Sequence, residues 1–198
     1  MNFDSNEEIQ RTITVLLVDD HPMVQSGLLA CLKYYHDIDV VGLSIDGKDA
    51  LDKVSELKPN VILMDVSMPL MNGIDATEII TEQFPDTRVL IFSMHDSSEF
   101  VHSAIQAGAS GYVLKDTSSE EVYCGIKAVA EGSTYFSRSI AKMLIQTPLK
   151  EEHERLTTRE QVILSYVAQG FSSKEVATKL QISFRTVDAH RRNIKVKL

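Results

Sequence analysis

Apolar positions along the chain follow two alternating patterns. Short runs rich in Val, Ile and Leu recur at residues 13–18, 40–43, 61–64, 89–92 and 112–114. Each has the length of a strand and lacks polar alternation, which predicts parallel strands covered on both faces. Between them the apolar residues take helical spacing. The sets are Met23, Leu28 and Leu32; Ala50, Leu51, Val54 and Leu57; Ile74, Ile79 and Ile80; Phe100, Val101, Ala104 and Ile105; and Val122, Ile126 and Val129. Asp46, Ser97 with Ser98, and Ser118 with Ser119 stand where helices should begin. Their short side-chain oxygens can accept from the free N–H groups of a first turn. Pro59, Pro85 and Gly108 stand where helices should stop. Five strand–helix units in series predict a doubly wound α/β domain on a five-stranded parallel sheet, spanning residues 12–133.

Beyond residue 133 the pattern weakens. Residues 140–145 have the spacing of a short helix, Thr147-Pro148 breaks it, and residues 150–155 are charged. Residues 134–155 therefore read as a linker. Residues 156–198 are helical in spacing throughout and too short for another strand–helix unit. Residues 1–11 are polar, without an apolar core or a small-residue cleavage site. They read as a disordered extension and not as a secretory signal.

Composition narrows the class. A chain of 198 residues with 43% hydrophobic and 24% charged residues has enough apolar surface to fold. It has no run of about 18 apolar residues, so no membrane partner is expected. Cys31 and Cys124 lack metal-ligand or disulfide spacing, which fits a reducing cytoplasm. The charge is split. Residues 1–150 hold 11 basic and 22 acidic residues, whereas residues 174–198 hold seven basic and two acidic. An acidic body with a basic end predicts two modules with different partners.

In open α/β sheets, ligands sit beyond the carboxyl ends of the strands. Asp19 and Asp20 follow the first run, Asp65 the third, Ser93 the fourth and Lys115 the fifth. Three converging carboxylates repel one another, so a hard cation, Mg2+ or Mn2+, is the expected neutraliser. A lysine and a hydroxyl beside it are suitable donors to phosphoryl oxygens. The implied chemistry is phosphoryl transfer to a carboxylate, with Asp65 the acceptor because it leaves the central strand. Any one of these residues alone is more often a cap, a turn former or a surface charge. Their order at successive strand ends reverses that judgement.

The segments LLVDDHPMV, VILMDVSMPLMNG, IFSMHD and GYVLKD resemble the receiver domains of bacterial two-component response regulators. The resemblance implies that Asp65 is the phosphoacceptor. It implies that Asp19, Asp20 and the Ser67 carbonyl join Asp65 around the metal. Ser93 and Lys115 would contact the phosphoryl group, and Tyr112 would be the switch aromatic. Asp116 replaces a common proline and Met94 a common small residue, and both features look like the NarL/FixJ branch. A bulky Met94 is expected to slow small phosphodonors.

In the basic module, Thr157 or Thr158 can cap one helix and Ser172 or Ser173 the next. A short turn at residues 181–183 then leads into a last helix, the helix-turn-helix arrangement of DNA readers. On that helix Val187, His190, Ile194 and Leu198 form the expected core stripe. Arg185, Asp188, Ala189 and Arg192 lie opposite, flanked by Arg191 and Lys195. They are candidates for DNA contact, Arg192 and Asp188 through base edges and Ala189 through a thymine methyl. Lys174, Lys179, Arg191 and Lys195 are candidates for phosphate contact. The bland alternative is a solvated helix in a small bundle. The stretches LTTRE, GFSSKEVA and TVDAHRRNI resemble the LuxR-type domain of NarL/FixJ regulators. That domain usually continues past Lys197-Leu198 into a further helix, so marginal stability is expected here.

The combined reading is a cytoplasmic DNA-binding transcription regulator. A sensor histidine kinase would phosphorylate Asp65, altering dimerisation and binding to double-stranded DNA. Two alternatives compete. A Mg2+-dependent phosphohydrolase would need an acid two residues after Asp65, where this chain has Ser67. A regulator acting without phosphorylation is the other.

Overall fold

The computed structural model describes residues 12–146, 156, 158–180, 182 and 184–197. Ten elements alternate through the first domain. They are β1 (Ile13–Val18), α1 (Pro22–Leu32), β2 (Ile38–Ser44), α2 (Gly47–Leu57), β3 (Val61–Met64), α3 (Gly73–Gln83), β4 (Arg88–Ser93), α4 (Ser98–Gln106), β5 (Gly111–Leu114) and α5 (Ser119–Ala130). Two of the expected caps form, at α2 and α5, and α3 gains one that the sequence reading did not offer. Asp46 accepts from the N–H groups of Lys48 and Asp49 at 2.8 and 2.9 Å. Asn72 accepts from Asp75 at 2.9 Å, and Ser118 from Glu121 at 3.3 Å. Ser97 stands at the start of α4 without a side-chain cap bond.

The sheet is parallel throughout, in the order β2-β1-β3-β4-β5-β6. It has six strands, not the expected five. The sixth, β6 (Tyr135–Phe136), comes from residues read as linker, and α6 (Arg138–Gln146) follows it. Two residues are too few to show a hydrophobic period, so the strand is invisible to a pattern reading. The neighbours explain its place. A Cβ at Gly111 would lie 2.3 Å from the Tyr135 carbonyl oxygen, and one at Gly125 would lie 3.1 Å from the Tyr135 ring. Glycine at both positions makes the seat for β6. Ser137 N–H donates to the Tyr112 carbonyl at 3.0 Å. Ile140 of α6 is 1% exposed in the receiving core.

Each face of the sheet carries its own apolar layer. Leu16, Val18, Ile62, Met64 and Ile91 pack beneath α2, α3, α4 and α6. Val15, Leu17, Leu63, Leu90 and Val113 pack beneath α1 and α5. This double cover is why the strands read as unbroken apolar runs.

The second domain contains α7 (Thr158–Ala168), α8 (Ser173–Leu180) and α9 (Phe184–Lys197) around Ile163, Val176, Ile182, Val187 and Ile194. Ser172 and Glu175 form a capping box at α8. The Ser172 N–H donates to the Glu175 carboxylate at 2.8 Å, and the Glu175 N–H to the Ser172 hydroxyl at 3.4 Å. Thr157 lies outside the described residues.

Candidate functional site

The strand order places β1 between β2 and β3, so Asp19 and Asp20 after β1 stand beside Asp65 after β3. Asp19 and Asp65 are buried, and Asp20 is half-buried. Lys115, just past β5, reaches both buried carboxylates. Its Nζ lies 2.7 Å from Asp19 Oδ2 and 2.9 Å from Asp65 Oδ2. Burial pushes the Asp65 carboxyl above its ordinary range, and the Lys115 ammonium partly offsets this. The backbone at Asp65 is held from the far side of its loop. A Cβ at residue 73 would lie 1.8 Å from the Asp65 carbonyl oxygen, so only glycine lets α3 begin there.

Ser93, the last residue of β4, is fully buried, and its hydroxyl accepts from His95 N–H at 3.2 Å. Tyr112 is also fully buried. Its hydroxyl donates to the His95 carbonyl at 2.7 Å. Burial raises the phenol to about 12, so it remains a donor. The Ser67 side chain turns to His95 Nε2, 2.7 Å away. Met94 is exposed on the groove that leads past His21 and Met23 to Lys115.

Two histidines escaped the sequence reading. His21 joins Asp19, Asp20 and Asp65 in a cluster whose ligand atoms lie within 4.8 Å of one another. Its Nδ1 is 2.7 Å from Asp20 Oδ1. Its place directly after the acidic pair was the available signal. His95 links Ser67, Ser93 and Tyr112 and stacks on Phe100 at 4.1 Å. Nothing local in the sequence marks that role. The oxygen-rich cluster suits a hard divalent cation, whose charge would match that of the three carboxylates and the Lys115 ammonium together.

On the second domain, Lys174, Lys179, Arg192 and Lys195 are exposed. Lys179 Nζ rests 4.6 Å from the Phe171 ring centre. Asp188 and Arg191 are tied to the start of α8. The Ser173 hydroxyl lies 3.4 Å from Asp188 Oδ1 and accepts from Arg191 Nη1 at 2.7 Å. The side chains of Arg185 and Ala189 lie outside the described residues, as does Leu198.

His190 corrects the helical-stripe reading. Val187 and Ile194 enter the domain's core, but His190 faces the first domain instead. Its Nε2 lies 3.4 Å from Glu78 Oε2, and Arg159 Nη2 lies 2.9 Å from Asp75 Oδ2. A cleft of about 500 Å3 between the domains is lined in part by Ser67, Phe100, Arg159 and His190. A second cleft sets Phe184, Asp188 and Arg192 against Glu78 and Glu82. Helix α9 therefore lies against α3 and the end of α4.

Two family descriptions match the chain, "Response regulator receiver domain" over residues 15–127 and "Bacterial regulatory proteins, luxR family" over residues 154–198. The transcriptional regulatory protein MctR of Rhizobium johnstonii is 41% identical over 186 residues, covering 94% of this chain and 87% of that protein. The oxygen regulatory protein NreC of Staphylococcus aureus is 36% identical over 195 residues, covering 93% and 90%. Among solved structures, the response regulator ChrA of a heme-sensing two-component system superimposes with a TM-score of 0.59. It is 33% identical, covering 94% of this chain and 90% of ChrA. With both family matches in chain order and relatives spanning both domains, the chain belongs to the NarL-type response regulators, a receiver domain joined to a LuxR-type DNA-binding domain.

Proposed function

We propose that Asp65 accepts a phosphoryl group from a sensor histidine kinase and that this event releases α9 for DNA. The observation that carries the reading is the convergence of Asp19, Asp20, Asp65 and Lys115 at adjoining strand ends. In the transfer, an Asp65 carboxylate oxygen bonds to phosphorus as the bond from phosphorus to the kinase histidine breaks. Lys115 stands where the phosphoryl oxygens would gather, and its ammonium is available to them. A divalent cation, Mg2+ or Mn2+, held by Asp19, Asp20, Asp65 and the Ser67 carbonyl, would neutralise charge on those oxygens.

The response begins at Ser93. Turning its hydroxyl toward a phosphoryl oxygen ends its contact with His95 N–H, and the same residue's carbonyl holds Tyr112. A shift at His95 therefore reaches Tyr112 on β5, whose backbone is bonded to the start of α6. Because α9 lies against α3, reading DNA requires the domains to part. Lys174, Lys179, Lys195 and Arg191 would then meet phosphates, while Arg185, Asp188, Ala189 and Arg192 face the bases. A homodimer on two half-sites supplies the specificity that one short helix lacks. Catalysis on external substrates is disfavoured by Ser67, which offers no carboxyl acid beside the acceptor. The setting is cytoplasmic, in keeping with the family and with the absence, among the described residues, of a helix long and apolar enough to cross a membrane.

The test is intact mass after incubation with Mg2+ and a small phosphodonor. The native chain should gain one phosphoryl-sized increment and Asp65→Asn none. An increment in both would move the acceptor elsewhere.

A further inference from the structure

His21 is the member of the acidic pocket that the transfer chemistry leaves unused. It follows Asp19 and Asp20 directly and stands at the start of α1, which Pro22 opens. Its backbone N–H donates to Asp19 Oδ1 at 2.8 Å, which ties the residue to the edge of the pocket. The ring nitrogen Nδ1 then lies 2.7 Å from Asp20 Oδ1 and 3.4 Å from Asp19 Oδ1. The side chain is 65% exposed, so the ring stands at the solvent rim.

These separations suit neighbouring ligands of one ion. Two donors bound at about 2.1 Å and at right angles stand about 3.0 Å apart. The two oxygens bracket that distance from Nδ1. The donor atoms of Asp19, Asp20, His21 and Asp65 all fall within 4.8 Å of one another. A second observation is independent of the spacing. Asp20 Oδ1 is buried and has no hydrogen-bond partner, although Nδ1 is 2.7 Å away. A buried carboxylate oxygen without a donor calls for a positive centre. Lys115 supplies one on the other side of the pocket, at Asp19 Oδ2 and Asp65 Oδ2. The side formed by Asp20 and His21 is left for a metal ion.

We propose that His21 supplies an imidazole ligand, through Nδ1, to the divalent ion held by the carboxylates, and so sets which metal the pocket prefers. The inference rests on the reading of this pocket as the metal centre of the phosphoryl site. Imidazole nitrogen suits transition ions, whereas Mg2+ keeps to oxygen ligands and retains its waters. One imidazole beside three carboxylates therefore raises affinity for Mn2+ and leaves affinity for Mg2+ as it was. With Mg2+ bound, a water takes the place of the ring.

The experiment uses the full chain, without a histidine tag, and Mn2+ alone. Electron spin echo spectra read a nitrogen bound directly to Mn2+ as 14N modulation. Expected is that modulation from the native chain and none from His21→Ala. Calorimetric titrations with Mn2+ and with Mg2+ give the second readout. His21→Ala should bind Mn2+ several-fold more weakly and Mg2+ as the native chain does. The exposed ring leaves the core untouched when it is removed. Native spectra without 14N modulation, or modulation retained by His21→Ala, overturn the proposal. Equal losses for the two ions also overturn it, because they make His21 a residue that orients Asp20. Asp65→Ala separates the two readings. If it binds both ions as the native chain does, the metal-centre reading falls and the imidazole ligand with it. If it loses both ions while the native spectra lack 14N modulation, the metal centre stands and only the imidazole ligand falls.

Discussion

The acidic pocket and the domain interface are both buried clusters of charge, yet they are finished differently. In the pocket, Lys115 touches both buried carboxylates at 2.7 and 2.9 Å, and every member hangs from a strand end backed by core. Buried oxygens without a hydrogen-bond partner occur in the pocket, Asp19 Oδ2 and Asp20 Oδ1, but each has a nitrogen 2.7 Å away, on Lys115 and His21. At the interface, His190 Nε2 is likewise unbonded and its carboxylate neighbour is 3.4 Å away, and open clefts remain around it and around the unbonded Arg159 Nε. A buried polar atom left unbonded costs free energy that full packing would recover. The pocket is organised in advance to receive a group. On the proposed function, the interface is the part that such a group would undo.

Four substitutions put the difference between pocket and interface to the test. Gly73→Ala should do the most damage, because its methyl cannot coexist with the Asp65 carbonyl. We expect a loss of about 3 kcal/mol in urea unfolding, with phosphoryl uptake lost by intact mass. Ile140→Ala tests whether α6 belongs to the receiver's core. A residue 1% exposed there should cost about 3 kcal/mol on truncation, whereas a true linker residue would cost almost nothing.

Asp65→Asn should act in the opposite direction. Its carboxyl is raised in the fold, so the charged form is the one the fold disfavours. The native chain therefore loses stability as pH rises through that raised value and keeps it below the ordinary carboxylate range. In a chelator, Asp65→Asn should be more stable by about 1 kcal/mol at neutral pH. That gain should vanish in acid; equal melting across the pH range would contradict the assignment. Arg159→Ala should move stability least, by under about 1 kcal/mol, because its partnerships are incomplete. Its effect should fall instead on the ratio of docked to parted domains, read by energy transfer between dyes on cysteines introduced at Asp52 and Gln169 in a chain whose Cys31 and Cys124 are replaced by serine.

The pocket was legible because an α/β sheet converts sequence order into spatial order. A residue just past a strand is delivered to one edge, so Asp19, Asp20, Asp65, Ser93 and Lys115 converge wherever the strands are parallel. His21 and His95 were missed for different reasons. His21 was readable from its neighbours, whereas His95 depends on two loops meeting, its ring bonding a residue 28 positions away. On α9, the helical period identified Val187 and Ile194 correctly as core. It could not show whether His190, at the stripe's edge, faces its own domain or another.

Hydrophobic period and residue order were enough to place the two domains, the alternation of strands and helices, and the chemistry gathered at the strand ends. These rest on local periodicity and on the direction of parallel strands, which a linear reading carries. Tertiary structure alone decided the sixth strand, since its seat is the space left by Gly111 and Gly125 and its own pattern is only two residues long. It also decided the pairing of Asp75 with Arg159, 84 residues apart in the chain, and of Glu78 with His190. A charge on a helix surface has no period that names its partner. Only the docking of one folded body on another brings the two together.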